Sequence, residues 1–90
     1  MVCKRIIIIG KVQGVYFRAS AQERAVELSL TGEVRNLPDG NVEVIACGPS
    51  DSVQQLIDWC HEGPPRAVVE RVVVEDLEVR GFDGFRIVRR

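Results

Sequence analysis

The 90 residues carry 12 Lys and Arg against 13 Asp and Glu, a net charge of −1 with both signs interspersed; a general nucleic-acid binder would show a basic footprint, so that class is set aside. Hydrophobic residues make up 46% of the chain, enough for one modest core, and the length fits a single domain over residues 1–90. The apolar run after Lys4-Arg5 is four residues long, too short for a signal segment or a membrane span, so a cytoplasmic protein is expected.

Residues 3–10 are rich in isoleucine and read as a buried strand. A glycine-bearing loop follows, Gly10 to Arg18, and leads into a helical pattern over residues 17–30. Phe17, Ala21, Ala25 and Leu28 form its inner stripe, with Gln22, Glu23 and Glu27 facing water. The helix start is open: Ser20-Ala21-Gln22-Glu23 fits a capping box, while a start at Phe17 would put Arg18 in the first turn. Residues 31–37 are a second strand, and Pro38-Asp39-Gly40 is a turn. Residues 41–47 alternate as a third strand, completing a hairpin. Gly48-Pro49-Ser50 opens a second helix with Val53, Leu56, Ile57 and Cys60 on one face, and Gly63-Pro64-Pro65 ends it. Residues 68–79 are valine-rich and give one strand or two short ones. Residues 85–88 make a short terminal strand at an edge.

This order, βαββαβ plus a terminal edge strand, predicts an α+β ferredoxin-like two-layer sandwich. Its antiparallel sheet has the order 4-1-3-2, with both helices on one face. Strands 1 and 2 run parallel with strand 3 between them. The loop after strand 1 and the end of strand 2 therefore meet at one end of the sheet, about 10 Å apart. Arg18 and Asn36 share that end. A strand, a glycine loop and a helix start are a natural anion cradle, and an arginine fork suits phosphate oxygens.

The pattern Gly10-x-Val12-Gln13-Gly14-Val15-x-Phe17-Arg18 resembles the signature of the acylphosphatase family. Gly32-x-Val34-Arg35-Asn36, Gly40, Val42 and Gly48 fit it at the family's spacing, as do Gly63-Pro64 and Gly84-Phe85-x-Ile87. The resemblance covers essentially the whole chain. It departs at Glu33, where the family usually has an aromatic residue. The resemblance implies hydrolysis of the carboxyl–phosphate bond of acyl phosphates to a carboxylate and inorganic phosphate. Arg18 and the loop amides of Gln13, Gly14, Val15, Tyr16, Phe17 and Arg18 would hold the phosphate, and Asn36 would orient the attacking water. No metal or cofactor is expected. The expected partners are a small-molecule acyl phosphate and inorganic phosphate, with no nucleic acid and no membrane, and the chain is expected to be a monomer.

Other readings stand beside this one. The same fold could serve as a catalytically weak phosphate or acyl-phosphate binding module. It could be an RNA-binding sheet, although strands 1 and 3 offer isoleucine, valine and glutamate rather than exposed aromatics. It could also be the acylphosphatase-like domain of larger carbamoyl-transferring maturation proteins; a 90-residue chain favours the stand-alone enzyme. Ser20 has no histidine placed to activate it, and His61, the only histidine, reads as a charge partner at a helix C-terminus. Tyr16 reads as a pocket wall, and Trp59 as packing against the Gly63-Pro64 turn. Arg86, Arg89 and Arg90 read as a solvated basic tail.

Three cysteines, an odd number without C-x-x-C spacing, argue against structural zinc. Strands 1 and 3 place Cys3 and Cys47 as candidate disulfide partners on the helix-free face, at the sheet end opposite Arg18. Such a bond would contribute up to about 4 kcal/mol in the entropic account, although a reducing cytosol argues against its persistence. Cys60 reads as a core thiol.

Overall fold

Four consecutive isoleucines suit a strand covered on both faces. In the computed structural model, which describes residues 1–89, they lie in β1 (Val2–Lys11), with Ile6 and Ile8 wholly buried. The elements that follow are α1 (Phe17–Glu27), β2 (Thr31–Asn36), β3 (Val42–Gly48), α2 (Ser50–Cys60), β4 (Val68–Leu77) and β5 (Phe85–Val88). The sheet order is β4-β1-β3-β2-β5. The first four strands pair antiparallel, and the predicted 4-1-3-2 order is found. The terminal strand is at an edge as expected, but it runs parallel to β2, which makes the sheet mixed.

Both helices cover one face. Phe17, Ala21 and Ala25 of α1 and Val53, Leu56, Ile57 and Cys60 of α2 meet Ile6, Ile8, Val34, Val42, Val44 and Ala46 from the three inner strands. Burial pushes the Cys60 thiol up to about 12, so it stays protonated and inert. The valine-rich stretch is one strand, and its pairing with β1 shifts register between Ile9 and Gly10. Gln22 departs from its expected place in water. Its Nε2 donates to the Phe85 carbonyl at 2.9 Å, because β5 lies under α1. No helix among the described residues is long and apolar enough to cross a membrane.

The helix-free face explains why all seven residues of β3 are buried, Glu43 included. Arg5 Nε of β1 donates to one Glu43 oxygen at 2.6 Å and Arg35 Nε of β2 to the other at 2.9 Å. A buried carboxylate thus has a guanidinium on each side, the condition under which such burial is tolerated. The hydrogen bonds to Glu43 and then to Glu75 hold Arg5 above its ordinary value. Glu33 is the register partner of Ile45 on one side and Arg86 on the other.

Cys3 and Cys47 are direct register partners, and their sulfurs are joined in this structure. The Arg80 N–H donates to Cys3 Sγ at 3.4 Å, so the chain beyond β4 touches the bridge. The bridge closes a loop of sequence separation 44. Urea unfolding with and without dithiothreitol should differ by about 2–4 kcal/mol. Denatured unreduced protein should titrate one thiol, Cys60. Three titratable thiols without reductant would mean that the bond does not form in solution.

Candidate active site

The loop between β1 and α1 folds around two left-handed residues. Gly14 has φ 74° and Tyr16 φ 64°, ψ 24°. Alternation of left-handed with ordinary residues turns successive N–H groups to one side, the geometry of an anion nest. The loop is anchored from below: Val12 is buried, Val15 packs on the core, and the buried Phe17 ring lies 5.3 Å from that of Trp59. Gln13 ties it sideways, donating Nε2 to the carbonyls of Leu37 and Asn41, both at 2.8 Å. One side chain therefore couples the loop to the hairpin that carries Asn36.

α1 begins at Phe17, and Arg18 lies in its first turn. The Ser20 capping box does not form. Tyr16 is the N-cap and makes no side-chain cap bond, and the Ser20 N–H donates to the Tyr16 carbonyl at 3.0 Å. The first turn also lacks an acidic residue. Among the described residues, the N–H groups of Gly14 through Arg18 have no acceptor in the protein. Open donors at a helix start without a carboxylate form a positive end that favours an anion.

Asn36 ends β2 on the face of Val34, the helix side. It meets Arg18 across a hollow of about 350 Å³ lined by Val12, Gly14, Tyr16, Phe17, Arg18, Ala19, Asn36, Ile87 and Arg89. Of the residues expected to hold phosphate, Gly14, Tyr16, Phe17 and Arg18 line it; Gln13 and Val15 do not, serving as a tie and a packing residue. Tyr16 is 77% exposed and forms an outer wall. Ser20 lies outside the hollow, in a groove beside Trp59. The His61 ring is also remote, its Nδ1 3.0 Å from the Ile57 carbonyl.

Arg89 is exposed, as a solvated tail predicts, and it also lines the hollow. The β5–β2 register ends with Arg35 beside Val88, so Arg89 follows at the end of the sheet where β2 ends in Asn36. Ile87 faces the core, and Arg89, two residues on, takes the same face. The alternation was readable in the sequence; the direction of β5 was not. Arg86, on the other face, is solvated and donates to Asp83 at 3.4 Å. Arg90 lies outside the described residues.

The acylphosphatase family model matches residues 4–87. An acylphosphatase of Halorhodospira halophila is 61% identical over 82% of this chain and 80% of its own length. One from Marinobacter nauticus is 52% identical over 90% and 89%. The solved structure of an acylphosphatase from Coxiella burnetii superposes with a TM-score of 0.93 at 46% identity, covering 97% of this chain and 92% of the other.

Proposed function

We propose a function from one premise: this chain belongs to the acylphosphatase family, whose model spans residues 4–87. It hydrolyses the bond between a carboxyl group and phosphate in acyl phosphates. The observation that carries the reading is that Arg18, Asn36 and the loop residues Gly14, Tyr16 and Phe17, whose N–H groups have no acceptor among the described residues, line one hollow.

Arg18 and the amides of the loop hold the phosphoryl oxygens. Asn36 holds a water through its amide, which both donates and accepts without a charge that would repel phosphate. The water oxygen attacks phosphorus as the bond from phosphorus to the carboxyl oxygen breaks. The products are a carboxylate and inorganic phosphate, and the phosphoryl group takes up the water's proton. The departing carboxylate is a weak base with a reference pKa of about 4, so the step needs no general acid. Positioning and charge stabilisation are the main requirements of phosphoryl transfer. Two readings accompany this one: residues 1–90 form one domain, and the protein is a cytoplasmic monomer acting on a small molecule.

Asn36→Ala tests the mechanism. With benzoyl phosphate and EDTA present, kcat should fall about 100-fold or more while inhibition by inorganic phosphate stays within about twofold. Full activity in the variant would remove the water-positioning role. Absence of hydrolysis by wild type, with phosphate still bound, would favour a binding module instead.

A further inference from the structure

We infer that Arg89 is a second guanidinium of the phosphate site, acting on the same phosphoryl group as Arg18 from the opposite wall; the inference rests on the hydrolytic reading only for its kinetic consequences. Two independent observations carry it. The parallel pairing of β5 with β2 ends with Val88 beside Arg35, so the chain leaves β5 at the end of the sheet where β2 ends in Asn36, and Arg89 lines the hollow together with Arg18 and Asn36.

Charge decides what the pair is for. Among the described residues no carboxylate lines this hollow, and neither Arg18 nor Arg89 belongs to an ion pair. The other charged side chains of β5 and its surroundings are engaged elsewhere, Arg86 with Asp83 and Arg35 with Glu43. Two cations without a counter-charge among the described residues line one small space, and their repulsion is relieved when an anion of matching charge enters. A phosphoryl group carries nearly two negative charges at neutral pH. It presents three terminal oxygens, more than one arginine fork can hold.

The position of Arg89 also assigns its part in the reaction. Arg18 approaches from the helix start and the loop amides. Arg89 approaches from the strand beside Asn36, the side from which the water comes. A cation there offsets repulsion between the incoming water oxygen and the phosphoryl oxygens, so it should contribute to turnover as well as to binding.

The test uses inorganic phosphate as the probe, read by calorimetry, with benzoyl phosphate kinetics alongside. In Arg89→Gln the Kd for phosphate should rise about tenfold, and kcat/KM should fall at least as far. Arg89→Lys, which keeps the charge but not the fork, should recover most of the binding. Arg86→Gln removes the same charge from the other face of β5 and should leave Kd within about twofold of wild type. Three outcomes would each overturn the inference: phosphate bound by Arg89→Gln as tightly as by wild type, equal loss in the Gln and Lys variants, or equal loss in Arg86→Gln. Because the Kd needs no turnover, failure of the hydrolytic reading would appear separately, as phosphate binding that depends on Arg89 in a protein that hydrolyses nothing.

Discussion

Replacing Arg18 with alanine should lower kcat/KM for benzoyl phosphate by about a thousandfold or more. The size of the effect follows from what surrounds the side chain. Arg18 is half-buried at the start of α1, and among the described residues no carboxylate lines the hollow it faces. Its charge acts at short range where water is partly excluded, so it counts for more than the same charge on an open surface. Charge on the phosphoryl oxygens shifts as the bond to the leaving group breaks, and a fixed guanidinium needs no reorganisation to meet it. The neighbouring anchors, Phe17 on Trp59 and Val12 in the core, are untouched by the change. The melting temperature should therefore move by only about 2 °C or less while activity collapses. Arg18→Lys should fall between the two, because it loses the paired N–H donors. An alanine variant within about tenfold of wild type would mean that the loop amides alone do the work.

Gly32→Ala should be the most damaging small change to the fold, costing about 3–5 kcal/mol. Gly32 has φ 145°, and an added Cβ would run into the backbone carbonyl of Ile45 on β3. Backbone cannot rotate aside as a flexible side chain can. Either β2 separates from β3 or the chain leaves its register. The Gly32 N–H also donates to the Gly84 carbonyl at 3.0 Å, so a displaced Gly32 loosens the entry to β5 as well. For a domain of this size the melting temperature should drop by about 15–30 °C. Activity below the new transition should fall too, since β2 carries Asn36. A drop under about 3 °C in a thermal scan would show that the two strands accommodate the methyl group.

The order of elements was legible because the periodicity changes cleanly from strand to helix and the turns are marked by Gly and Pro. The position of Arg18 relative to Asn36 was legible for the same reason: once β1 and β2 are parallel neighbours of β3, their ends coincide. What escaped was the terminal strand. Its four residues alternate adequately, but nothing within them tells whether β5 adds beside β2 or β4, or in which direction, and the place of Arg89 depends on both. Glu43 escaped for a related reason. Alternation puts it on the same face as Cys47 but says nothing of its partners. Only the register brings Arg5 and Arg35 to its two oxygens. Gln13 was legible as part of the loop but not as its tie to Leu37 and Asn41, since those partners are carbonyls that carry no residue signature.

β1 sits between β3 and β4, pairing Cys3 with Cys47 on one side and with Leu77 on the other. Its partners are therefore far along the chain, and the sheet cannot close until distant segments have found each other. Topologies dominated by such pairings fold slowly, in about milliseconds to seconds. A cross-link between Cys3 and Cys47 already formed in the unfolded chain would hold β1 near β3 and shorten that search. The bridge at one end of the sheet would then govern how fast the cradle at the other end comes into being, while leaving the chemistry of the finished cradle unchanged.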